Sequence, residues 1–126
     1  MEDVHRVCTR YHSAIEMIGT RWTGAILRVM FTGSHRYAQI KAAVPGLSDT
    51  MLAARLRTME AEGLLRREVI PTTPVQVEYH LTEMGLDLAP VIKELIGWSH
   101  RWIPLSEDGV EDDGPEDGGQ ARPRSA

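Results

Sequence analysis

A chain of 126 residues, 42% hydrophobic and 25% charged, is expected to be one globular domain with a modest core. No apolar run approaches the roughly 18 residues of a membrane span, and the polar opening MEDVHRVCTRYH reads as no secretory signal, so a soluble, cytoplasmic protein without a membrane partner is expected. The net charge of −4 divides unevenly: residues 1–103 carry a net of +1 and residues 35–67 a net of +3, the pattern of a nucleic-acid surface inside an acidic protein.

In chain order, residues 12–18 and 22–31 read as two apolar-rich helical segments broken near Gly19, and a short helix over 37–44 stops at Pro45-Gly46. The stretch SDTMLAARLRTMEAEG follows. Ser48 suits an N-cap, Asp49 suits the positive end of the helix dipole, Leu47 and Leu52 have the spacing of a hydrophobic staple, and Gly63 ends the helix. At about 100° per residue, Leu52, Leu56 and Met59 form a core stripe, while Thr50, Ala54, Arg57 and Ala61 face outward. Arg55 falls nearer the core edge, where its stem can pack while its head reaches out. A solvated helix has no reason to keep its outer face small; a helix pressed closely against something does.

After Gly63 the period changes to two. Leu65, Val69, Val75, Val77, Tyr79 and Leu81 alternate with polar neighbours, which predicts a hairpin turning at residues 71–74, with Arg66 and Arg67 near its start. Thr82 caps a last helix with Leu88, Ile92, Leu95 and Trp102 on one face, broadened by Val91, Ile96 and Trp98, and with a kink at Pro90. From Pro104 onward, seven acids, two arginines and abundant Gly and Pro predict a disordered acidic tail over 104–126, leaving residues 1–103 as the folded domain.

The order helix, helix, short helix, tight turn, capped helix, hairpin, long helix is that of a winged helix-turn-helix: mainly α with a small β-hairpin. In that fold the second helix of the motif enters the DNA major groove, which requires a close-approaching outer face. Small residues around Arg57 meet that requirement.

The segments AIEMIGTRWTGAILRVMF, HRYAQIKAAVPGLSDTMLAARLRTMEAEGLLRREV and VQVEYHLTEMGLDLAPVIKELIGW resemble the HxlR-type winged-helix regulators, relatives of the MarR group, over roughly residues 8–98. The resemblance rests on the ordered set Ile18-Gly19-x-x-Trp22-Thr23, the Pro-Gly-x-Ser turn, the Leu-Arg-x-Met-Glu run and the Val-Glu-Tyr-x-Leu-Thr strand. It implies a homodimeric bacterial transcription factor on a pseudo-palindromic operator of double-stranded DNA, with the first and last helices as dimerisation helices. By position, Ser48, Thr50, Ala54 and Arg57 would lie in the groove, Arg36 would approach phosphates, and Arg55, Arg66 and Arg67 complete the basic surface. Ala53 and Ala54 replace polar residues usual in the family, and the tip PTTPVQ is less basic than usual. Readout would then lean on Arg57, thymine methyl contacts and DNA shape. Ile15, Leu95, Trp98 and Trp102 are the dimer-interface candidates, because a lone small domain would struggle to cover two tryptophans on one stripe; Trp22 is expected in the core.

Cys8, the single cysteine, allows no intrachain disulfide. It is the candidate sensor of a redox or electrophile signal, since Arg6 and Arg10 nearby favour a thiolate; the alternatives are a small residue packed at the dimer interface, or a small-molecule effector bound elsewhere. His5, Cys8 and His12 share a helical face, but no fourth ligand accompanies them, and neither a metal nor a cofactor is expected. No nucleophile–base pair or phosphate-cradling glycine loop is evident, so no catalytic residue is assigned. The competing reading is a winged-helix protein-interaction module that uses the same face without specific DNA binding.

Overall fold

The structure, a computed structural model, describes residues 8–105; His5 and Arg6 lie outside the described residues, as does the expected tail from residue 106 onward. Its elements are α1 (Thr9–Gly19), α2 (Thr23–Phe31), α3 (Tyr37–Ala43), α4 (Asp49–Ala61), β1 (Leu65–Ile70), β2 (Gln76–Leu81), α5 (Glu83–Leu86) and α6 (Ala89–Trp102). They fall into two compact units that meet in sequence between Ala89 and Pro90. The first holds the helix-turn-helix and the hairpin; the second is built on α6.

The core of the first unit follows from spacing. Thr23, Ile26, Leu27 and Met30 recur at i, i+3, i+4 and i+7 on α2 and are all buried. Ile40 of α3, Leu52, Leu56 and Met59 of α4, and Leu64 and Leu65 at the base of the hairpin are also buried. Burying each such side chain contributes about 1.5–3 kcal/mol, which holds three short helices and a two-stranded ribbon that would not persist alone.

Local signals set the ends of α4. The Ser48 hydroxyl accepts from the Met51 amide at 3.1 Å, and Gly63, at φ +89°, lets the Leu64 amide return to the Met59 carbonyl at 3.0 Å. The turn into α4 is covered from outside. Trp22 lies only half-buried, with the Arg21 guanidinium 5.0 Å above its ring, and its Cη2 is 3.6 Å from where a Cβ on Gly46 would stand. This corrects the expected core position: the ring roofs the Pro45-Gly46 turn instead of filling the interior.

β1 and β2 pair antiparallel from Leu65↔Leu81 to Ile70↔Gln76. The period-two pattern is buried only at the base. Leu65 and Tyr79 are covered, whereas Val69 and Val75 stay exposed, because the ribbon projects beyond the helices that would cover its far end.

The single kinked helix expected after Thr82 is two helices. Thr82 caps the one-turn α5 by accepting from the Gly85 amide at 3.1 Å, and the chain turns at Asp87-Leu88 before α6 begins. Pro90 occupies the first turn of α6, where an amide has no intrahelical acceptor to lose, so it starts a helix where a kink was expected. A Cβ on Gly85 would overlap the Leu64 carbonyl oxygen, so α5 sits as close to the hairpin base as a bare backbone allows.

Candidate nucleic-acid interface

The buried stripe of α4 fixes which of its residues face out. With Leu52, Leu56 and Met59 turned to the core, Thr50, Arg57 and Ala61 are exposed and Ala54 is partly so. Ser48 stands at the helix entrance, where its hydroxyl oxygen is engaged by the cap and its proton remains able to donate outward. The first turn is braced by Tyr37 of α3, whose hydroxyl lies 3.2 Å from both Oδ1 and the carbonyl oxygen of Asp49. Burial, and then the hydrogen bond to Asp49 and its charge, hold the Tyr37 hydroxyl above the ordinary tyrosine value.

The arginines take three different positions. Arg57 and Arg67 are exposed and enter none of the ion pairs among the described residues. With Ala53, Glu60 and Tyr79 they line a shallow hollow of about 400 Å³ between α4 and the hairpin. Arg66 points into solvent and approaches Glu68 at 3.7 Å, a weak exposed pair. Arg36 precedes α3 and lies 3.8 Å from Glu78 of β2, so a carboxylate already faces it. Arg55 is partly buried, and its Nε donates to the Arg21 carbonyl at 3.1 Å, tying α4 to the entrance of α2. The Ile18-Gly19-x-x-Trp22-Thr23 segment thus supports the motif's turn through Trp22 and its second helix through Arg21.

Sequence reasoning missed one group beside this face. His35, Glu68, Glu78 and His80 converge at the base of the hairpin, with the His35 and His80 rings stacked at 5.3 Å. Their positions span two strands and a loop, so no spacing rule connects them; only the strand register does. Among the other singled-out residues, Cys8 is exposed just before α1, and His12 approaches Glu16 at 3.3 Å. No α1 residue is buried, Ile15 included, and α6 exposes Val91, Leu95, Trp98 and Trp102. Among the described residues, no helix is long and apolar enough to cross a membrane.

The arrangement is a helix-turn-helix, α3 to α4, followed by a two-stranded wing with arginines on the adjoining surfaces. Residues 17–107 match the family described as HxlR-like helix-turn-helix. The chain is 41% identical over 100 residues to the HTH-type transcriptional regulator YvaP of Bacillus subtilis, covering 79% of this chain and 93% of that one. It is 35% identical over 107 residues to the regulator YodB of the same organism, covering 85% and 96%. The reduced form of YodB superposes with a TM-score of 0.68 at 36% identity, covering 83% of this chain and all of that one. The redox regulator HypR in its oxidised form gives a TM-score of 0.66 at 33% identity, covering 73% and 94%. YvaP and YodB are described as HTH-type transcriptional regulators and HypR as a redox regulator. By fold, motif and sequence, the chain belongs to the HxlR-like helix-turn-helix family of DNA-binding transcriptional regulators.

Proposed function

We propose that the protein works in the cytoplasm as a homodimer on a pseudo-palindromic operator, with α4 of each copy in the major groove and the wing against the flanking backbone. The observation that carries this reading is the outward face of α4, where Thr50, Ala54 and Ala61 keep the profile low around Arg57, which enters no ion pair among the described residues. In this reading Arg57 contacts a base edge, with methyl contacts from Thr50 and Ala54. Ser48, Arg36, Arg66 and Arg67 contact phosphates, which position the protein without carrying sequence information. Arg55 acts from behind, holding α4 in place through the Arg21 carbonyl.

The dimer is supported by exposed apolar surface. Leu95, Trp98 and Trp102 are each about half exposed on one side of α6, at 52%, 49% and 53%, and Ile15 of α1 is 49% exposed. A second copy covering these side chains removes them from water, and a two-fold axis gives the operator its inverted repeat.

For the signal, the proposal is thiol oxidation at Cys8. Its exposure supports this, together with relatives that include a regulator described as a redox regulator and one crystallised after diamide treatment. Two Cys8 thiols from two copies would form one disulfide and pass two electrons and two protons to the oxidant; an effector bound elsewhere is the competing source.

The test is fluorescence anisotropy with duplex DNA from upstream of the protein's own gene, over a salt series. The expected result is nanomolar to micromolar binding whose log affinity falls linearly with log salt. Absence of binding to any duplex would favour a winged-helix module that recognises protein. For Cys8, diamide should release DNA from the wild type and leave Cys8→Ser bound; equal behaviour would place the signal elsewhere.

A further inference from the structure

We propose that Glu68, Glu78 and His80, joined by His35, form a binding site for a divalent transition-metal ion of the zinc type at the base of the wing. The ligand atoms are already gathered: Nε2 of His80 lies 3.0 Å from Oε1 of Glu78 and 3.3 Å from Oε1 of Glu68. The three donor atoms lie within 4.8 Å of one another. Tetrahedral zinc with bonds of about 2.0–2.2 Å separates its ligand atoms by about 3.3–3.5 Å, so little movement is needed.

Two further observations ask for a cation. Glu68 and Glu78 stand directly opposite each other in the β1–β2 register, a like-charge pair that destabilises a sheet unless something positive lies between them. The single Nε2 of His80 has at most one proton to divide between the two carboxylates. His35 supplies the second observation. Its Nδ1 lies 2.9 Å from the Gly33 carbonyl oxygen, which can only accept, so Nδ1 carries a proton and Nε2 is the ring nitrogen left to meet an ion. That Nε2 lies 3.7 Å from Oε2 of Glu78, on the side of the ring turned to the cluster. A backbone carbonyl fixing the far nitrogen of an imidazole is the usual support of a metal-binding histidine.

Two imidazoles with two carboxylates suit zinc and its first-row neighbours better than calcium or magnesium, which take oxygen ligands. The Glu78 side chain is only 16% exposed and Glu68 45%, leaving one open side for the ion to enter. Arg36 and Arg66 are the opposing charges, 3.8 Å from Oε2 of Glu78 and 3.7 Å from Oε1 of Glu68; at 61% exposed, Arg66 is free to turn into solvent. Arg36 is half exposed and can swing away, and the core of the site uses the other oxygen of Glu78. A bound ion would fasten the wing to the entrance of α3, where the Tyr79 amide already donates to the His35 carbonyl at 2.7 Å.

The test takes the full chain, stripped with chelator, and titrates it with zinc chloride by calorimetry and with cobalt(II) by visible absorption. The expected result is one ion per chain, visible cobalt bands without a thiolate charge-transfer band, at least about tenfold weaker binding in His80→Ala and in Glu68→Gln, and unchanged binding in Cys8→Ser. Glu68 is exposed, so Glu68→Gln keeps the test valid if His80→Ala fails to fold. Absent or unsaturable binding, or binding that survives both substitutions, overturns the proposal. A thiolate band lost in Cys8→Ser does so too, because the ion would then sit at the N-terminal segment.

Discussion

α4 and α6 are helices of nearly equal length, 13 and 14 residues, whose outward faces have opposite chemistry. α4 turns out Thr50, Arg57 and Ala61; α6 turns out Val91, Leu95, Trp98 and Trp102. On α4 Leu52, Leu56 and Met59 are spent on the core, and the exposed positions are short or polar, with Arg57 beside Glu60 and Asp49 at the helix entrance. On α6 most of the large apolar groups remain outside. The difference fits the two partners proposed for these faces. A polyanionic groove admits a helix only where side chains are small and charge is favourable. A second protein surface covers bulky apolar groups and gains from their burial.

The contrast can be broken at either face or beneath it. The largest effect is expected at α6: Trp98→Asp places a charge in the proposed dimer interface and should give monomers by light scattering. Operator affinity should drop about 10²-fold or more, because the second half-site is no longer coupled to the first. A dimer that survives both Trp98→Asp and Leu95→Asp would remove α6 from the interface. Beneath α4, Leu56→Ala should cost about 2–5 kcal/mol in denaturant unfolding, since Leu56 is fully buried. A loss under 1 kcal/mol would mean that the inner face of α4 is not what orients its outer one.

A smaller effect is expected at the entrance of α4. Ser48→Ala removes the acceptor for the Met51 amide and should cost about 1 kcal/mol of stability. Ser48→Asp should retain most of the cap yet weaken DNA binding, because it brings a negative charge to phosphates; equal DNA affinity in the two variants would separate Ser48 from the backbone contact. The smallest effect concerns Tyr37. Its hydroxyl titrates above the ordinary value of about 10, so the fold favours the neutral form. That stability is present below the ordinary value and is lost as pH rises through the raised one. Tyr37→Phe should therefore be slightly less stable at neutral pH and lose less on going to strongly alkaline pH. Parallel alkaline curves for the two proteins would show that neither burial nor the Asp49 contact favours the neutral hydroxyl.

How far the sequence revealed these faces depended on how local the signal was. The cap at Ser48, the stop at Gly63 and the stripe Leu52–Leu56–Met59 depend on neighbours within one or two turns, and all three hold. The split into α5 and α6 is not legible from Pro90 alone, which reads as an interruption until the turn at Asp87-Leu88 makes it a beginning. Trp22 was misplaced because its partners, Arg21 and Gly46, meet it only in three dimensions. The same holds for Arg55: helical angle placed it at the core edge, but no pattern reveals that its Nε reaches the carbonyl of a residue 34 positions earlier. The His35–Glu78–His80 group was invisible for a like reason, since strand register brings it together.

The central claim, that α4 reads DNA through Arg57, is tested most directly by selecting bound duplexes from a random pool with the wild type and with Arg57→Ala. The account expects the wild type to enrich an inverted repeat whose half-site centres lie about 10 base pairs apart. Arg57→Ala should enrich the same repeat with preference lost at one base pair per half-site, at a cost of about 1–3 kcal/mol on the wild-type site. An identical motif from both proteins, with affinity reduced equally on every sequence, would make Arg57 a phosphate contact and contradict the claim.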